Sequence, residues 1–101
     1  MSKLNHIISA NQFDKKFIND LFLIADRVKK GEVNKNLLKN KIMATVFYEP
    51  STRTRLSFES AMLKCGGNVL SINDTKNSSV SKGESLEDTI RIVSSYSDCI
   101  V

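Results

Sequence analysis

The chain has 101 residues, 41% of them apolar and 26% charged, with a formal net charge of +4. That length fits one small domain, and the balance is that of a globular chain rather than a disordered one. No apolar run approaches the roughly 20 residues that cross a bilayer, and the basic residues are dispersed without the arginine-rich, aromatic-interleaved stripe of a nucleic-acid binder, so neither membrane nor nucleic acid is expected as a partner.

Met1 to His6 precede no signal-like apolar stretch, and the expected compartment is the cytoplasm. The first helix is predicted from about Asp14 to Lys30. Phe17, Leu21, Ile24 and Val28 form its stripe, Ile18, Phe22 and Ala25 widen it, and Gly31 stops it. A polar connector, Glu32 to Lys41, leads to an apolar strand, Ile42 to Tyr48. The next helix, about Arg53 to Cys65, carries Phe58, Ala61, Met62 and Cys65 on one face and Leu56 and Leu63 on nearly the opposite one, so covering on two sides is expected. Gly66-Gly67 ends it, and Asn68 to Ile72 reads as a second strand.

Asp74 to Gly83 is polar and aperiodic, a connection long enough to suggest a function. Ser85 with Asp88 makes a capping-box-like start to a helix striped by Leu86, Ile90 and Val93. Asp98 to Val101 begins a third strand. Strands separated by connections too long for hairpins imply an α/β fold: a parallel sheet with flanking helices and right-handed crossovers. Cys65 and Cys99 have no metal-like spacing and read as free, buried thiols of a reducing compartment. His6, the only histidine, reads as a surface residue.

The most informative stretch is Phe47-Tyr48-Glu49-Pro50-Ser51-Thr52-Arg53-Thr54-Arg55 followed by Leu56-Ser57-Phe58-Glu59. It sets three hydroxyls and two guanidinium groups at a strand-to-helix turn. The first N–H groups of a helix lack intrahelical partners and carry the positive end of its dipole, so an oxyanion is favoured there. Hydroxyls and a bidentate arginine beside it suit a phosphate or an acyl phosphate. The plain alternative makes Ser51 or Thr52 an N-cap and the arginines solvated helix residues.

The Ser51-Thr52-Arg53-Thr54 run resembles the signature of the carbamoyltransferases. Its flanks, and the block Ser78-Ser79-Val80-Ser81-Lys82-Gly83-Glu84-Ser85-Leu86, are similar to the aspartate branch of that family. The likeness is close from about residue 40 to 101 and looser before. It implies the N-terminal, carbamoyl-phosphate-binding domain over residues 1–101, incomplete, with a second, aspartate-binding domain absent, since family members are about three times this length. It also implies attack of the L-aspartate amino group on carbamoyl phosphate without metal or organic cofactor.

Carried over by position, Ser51, Thr52, Arg53 and Thr54 bind the phosphate; Arg53 meets transition-state charge, and Thr54 also reaches the carbonyl oxygen. Lys82 closes over both substrates with a loop serine, Ser79 or Ser78, and Glu49 serves ion pairs around the site. Arg53, Thr54 and Lys82 are the expected catalytic residues. The implied assembly is a homotrimer, with or without regulatory chains. Two other readings stand beside it: ornithine or another carbamoyltransferase, and a non-enzymatic anion-binding module. Ser79-Val80-Ser81-Lys82 also fits the Ser-x-x-Lys pattern of penicillin-recognising enzymes, but the Ser-Asp-Asn and Lys-Thr-Gly elements that such enzymes need are absent.

Overall fold

The structure, a computed structural model, describes residues 4–72 and 83–101. They fall into two compact units, Met1–Val33 and Asn34–Val101.

In the first unit a short 3-10 turn, Ala10–Gln12, precedes helix α1, Lys15–Lys29. Asp14 caps α1 by accepting the Phe17 N–H at 2.8 Å. Gly31, at φ +93°, closes it: the Gly31 N–H reaches the Val28 carbonyl at 2.9 Å and the Glu32 N–H the Arg27 carbonyl at 3.0 Å. That pair of reversed bonds satisfies carbonyls the helix leaves open, and it needs the left-handed backbone that glycine supplies. The expected stripe is present, yet Leu21, Ile24 and Val28 remain 40–46% exposed.

The second unit is built on a three-stranded parallel sheet. Its strands are β1 (Ile42–Val46), β2 (Asn68–Ile72) and β3 (Cys99–Ile100), in the order β2-β1-β3. Helix α2 (Thr52–Lys64) joins β1 to β2, and α3 (Leu86–Tyr96) precedes β3. The path crosses one way from β1 to β2 and back past β1 to β3. With right-handed crossovers that reversal puts the two helices on opposite faces of the sheet. Burial agrees: Met43, Ala44 and Thr45 are consecutive and all buried, so both faces of β1 are covered. α2 packs on β1 and β2, whereas α3 packs on β1 and β3.

Four details differ from expectation. β1 stops at Val46 rather than Tyr48, because its ladder ends where β2 ends, with the Phe47 N–H on the Ile72 carbonyl at 3.1 Å. α2 does not bury Phe58 and Ala61; Met62 is its buried residue, while Phe58 is 44% exposed, and Leu56 and Leu63 are 50% and 60% exposed among the described residues. In α3, Thr89 and Val93 are the buried pair and Leu86 is 54% exposed, since Leu86 occupies the first turn and Thr89 is drawn in by a 2.7 Å bond to Glu84 Oε1. The cysteines are free, as expected, but Cys65 is half-buried and Cys99 exposed, because β3 is an edge strand of the described sheet. Burial and the adjacent Asp98 charge still push the Cys99 thiol up. No described helix is long and apolar enough to cross a membrane.

Candidate functional site

In open parallel sheets a ligand binds beyond the carboxyl ends of the strands, where the direction of winding reverses. Here that reversal lies at β1, whose carboxyl end runs through Phe47–Pro50 into α2. Pro50 lacks an N–H and cannot extend a ladder, so the chain turns there.

Ser51 occupies the N-cap of α2 at φ −140°, ψ 55°, and its side chain makes no capping bond. Asp14 and Ser85, by contrast, cap α1 and α3 through their side chains. The first rung of α2 is the Arg55 N–H on the Ser51 carbonyl at 2.9 Å. The N–H groups of Thr52, Arg53 and Thr54 precede that rung and point, with the helix dipole, out of the helix start. The plain capping role for Ser51 is thus not what its side chain performs. Thr52, Arg53 and Thr54 are exposed and Ser51 is half-exposed, so two threonine hydroxyls, one serine hydroxyl and one guanidinium surround this N-terminus in the open. Such a set can take a tetrahedral oxyanion.

The two arginines of the motif part company. Arg53 takes part in no ion pair among the described residues. Arg55 is turned onto the sheet, where its Nη1 donates to Glu59 Oε1 at 3.1 Å, to Glu59 Oε2 at 3.2 Å and to Ser71 Oγ at 3.3 Å. Thr45, fully buried, donates its hydroxyl to Glu59 Oε2 at 2.7 Å. Hydrogen bonding from Thr45 above all, then from Ser71 and Arg55, holds the Glu59 carboxyl below its ordinary value against the opposing effect of burial. Only one guanidinium of the motif therefore remains for an anion.

Sequence reasoning did not single out Glu59, Thr45 or Ser71. The available signals were the opposite charges of Arg55 and Glu59 four residues apart and the two hydroxyl residues set in apolar strands. Glu49 is exposed in the turn and takes part in none of the ion pairs among the described residues. Lys82, Ser78 and Ser79 lie outside the described residues. His6 is exposed, as expected, and belongs to the first unit. No group of three or more histidine, cysteine or acidic residues is arranged to hold a metal ion among the described residues.

A family model described as the carbamoyl-P binding domain of aspartate/ornithine carbamoyltransferase matches residues 5–101. The aspartate carbamoyltransferase catalytic subunit of Thermoplasma acidophilum is 54% identical over the whole chain, which covers 34% of that protein. The corresponding subunit of Methanocaldococcus jannaschii is 51% identical over 97% of the chain and 33% of the relative. A solved structure of the M. jannaschii catalytic subunit superposes with a TM-score of 0.82 at 48% identity, covering 96% of this chain and 33% of that one. Aspartate transcarbamoylase from Trypanosoma cruzi, solved with carbamoyl aspartate and phosphate, superposes at 0.78 with 42% identity, covering 93% of this chain and 31% of that one. The chain thus spans about a third of the length of the relatives it matches. With a family model matching nearly every residue, the chain belongs to the aspartate/ornithine carbamoyltransferase family.

Proposed function

We propose that the β1–α2 turn binds carbamoyl phosphate and that the protein transfers its carbamoyl group to L-aspartate. The observation that carries this reading is the start of α2: Ser51, Thr52, Arg53 and Thr54 surround a helix N-terminus whose N-cap side chain, Ser51, makes no capping bond, at the carboxyl edge of a parallel sheet. In the proposed reaction the amino nitrogen of aspartate attacks the carbamoyl carbon and the bond from that carbon to the phosphate oxygen breaks. Phosphate departs with the bonding pair, the nitrogen loses a proton, and the products are N-carbamoyl-L-aspartate and inorganic phosphate. This is the chemistry of a step toward pyrimidines.

Phosphate is already a good leaving group, so the demands are orientation and charge. The backbone N–H groups and hydroxyls hold the phosphate, Arg53 neutralises the charge that grows as it leaves, and Thr54 donates to the carbonyl oxygen. Lys82 approaches the same anion with Ser79 or Ser78, and Glu49 pairs with cations at the rim of the site. Aspartate is held by residues outside this sequence, in an acceptor domain that this carbamoyl-phosphate domain accompanies. The proposed assembly is a homotrimer. A cytoplasmic location belongs to the same proposal and draws on the unbridged Cys65 and Cys99; the name of a pea relative assigns that protein to the chloroplast.

The test is an acceptor assay on the full natural chain. With carbamoyl phosphate present, L-aspartate should be carbamoylated and L-ornithine should not. Carbamoylation of ornithine in place of aspartate would move the protein to the other branch of the family, and phosphate binding without transfer to any acceptor would make it an anion-binding module.

A further inference from the structure

The half-buried polar cluster behind the anion-binding turn has no part in the proposed reaction. Thr45 and Ser71 are register partners on β1 and β2. One carboxylate and one guanidinium of α2 therefore tie the helix to two adjacent strands through Thr45–Glu59, Arg55–Glu59 and Arg55–Ser71 bonds of 2.7 to 3.3 Å. The apolar grip of α2 is slight by comparison, because Met62, near its other end, is its one buried residue. Apolar packing has no direction, whereas charge-assisted hydrogen bonds fix both direction and distance. A buried ion pair is also weak evidence for stability, since well-packed apolar groups would hold a helix as firmly. What such a pair supplies is a defined rotation.

That rotation governs the turn. Arg55 directly follows Thr54, and its own N–H makes the first rung of the helix, on Ser51. Successive helical residues are about 100° apart, so Arg53 lies about 200° around from Arg55 and faces away from the sheet when Arg55 faces it. We propose that Thr45, Glu59 and Arg55 are positioning residues: they set the rotation and height of the first turn of α2, and so aim Arg53 and the Thr52–Thr54 N–H groups at the phosphate. This rests on the reading of Ser51–Thr54 as the carbamoyl-phosphate site.

The experiment uses Thr45→Val, which keeps the shape of the side chain and removes the hydroxyl, and Thr45→Ser, which returns it, both in the full natural chain. Thr45→Val should raise KM for carbamoyl phosphate about tenfold, lower kcat, and weaken inorganic phosphate binding in calorimetry about tenfold. Thr45→Ser should stay within about twofold of the parent in all three. If Thr45→Val lowers the melting temperature or the folded yield while KM and phosphate affinity hold, the cluster is merely structural and the inference is wrong. Should Thr45→Val not fold, Glu59→Gln replaces it under the same criteria, since the amide still accepts from Thr45 but loses its charge pairing with Arg55. Arg53→Ala separates the two levels. Loss of phosphate binding in Arg53→Ala but not in Thr45→Val overturns only the positioning role; unchanged binding in Arg53→Ala overturns the site itself.

Discussion

Arg53 and Arg55 stand two residues apart at the start of one helix and serve opposite ends. Arg55 lies 3.1 Å from Glu59 against the sheet, whereas Arg53 is exposed at the helix mouth. The separation follows from helical geometry once one of them is pinned. It leaves one of the motif's two guanidinium groups at the helix mouth and makes the other a polar anchor on the sheet. Substitution of Arg53 therefore tests the proposed site directly, and substitution of Arg55 tests the proposed positioning of the turn.

Glu59 should give the fold an acid-sensitive component. Its folded pKa is lowered, so the stabilisation is fully present above the ordinary carboxyl value and is lost as pH falls through the lower folded value. Urea melts at successive pH values from about 7 to about 3 should show that loss below about pH 4.5 in the parent. The slope should be shallower in Glu59→Gln. Identical pH slopes for the two proteins would remove Glu59 from the account.

Neighbouring residues of α2 should differ sharply in what they carry. Met62 is 5% exposed between the helix and the sheet, while Leu63 is 60% exposed. Met62→Ala should cost about 2–5 kcal/mol through lost burial and the cavity left behind, and Leu63→Ala less than about 1 kcal/mol. Denaturant midpoints measured on the same preparation check the ranking, and equal losses would mean that α2 is rotated from its described position.

Gly66 should be far less replaceable than Gly83, although both have positive φ, +85° and +94°. A Cβ on Gly83 would meet nothing within 4 Å among the described residues, whereas one on Gly66 would press on the Lys35 backbone carbonyl. Gly83→Ala should cost about 1 kcal/mol, the usual penalty of the left-handed backbone. Gly66→Ala should cost clearly more, because two backbone segments must separate. Calorimetric melting temperatures compare the two directly.

Lys82 should serve a neighbouring subunit if the proposed trimer shares its sites. Full-length Lys82→Ala and Arg53→Ala chains, each inactive alone, should regain part of the activity when mixed and allowed to exchange, since some interfaces then pair an intact Arg53 with an intact Lys82. Hybrids as inactive as both parents, with exchange demonstrated, would return Lys82 to its own subunit.

Much of this arrangement was legible in local chemistry. Asp14 and Gly31 bound α1 because a carboxylate cap and a left-handed glycine act within one turn of chain. β2 falls on Asn68–Ile72 because Gly66-Gly67 ends the preceding helix. The strand-to-helix turn was readable for the same reason: strand, proline and the start of the next helix are contiguous. The inward face of α2 was not, because apolar side chains lie on several sides of that helix and period alone does not choose among them. The choice is made by Thr45 and Ser71, which only the parallel register brings side by side, and which draw Arg55 and Glu59 inward at the expense of Phe58. The exposure of Cys99 likewise depends on strand order, which no single segment encodes.

The most direct test of the central claim is the turnover of Arg53→Ala in the full natural chain, measured with saturating carbamoyl phosphate and L-aspartate beside circular dichroism of the same sample. The account predicts a native spectrum and a kcat lowered about a thousandfold or more, the scale set by removing a principal charge-stabilising group from an acyl- or phosphoryl-transfer site. A native spectrum with near-parental turnover would contradict it.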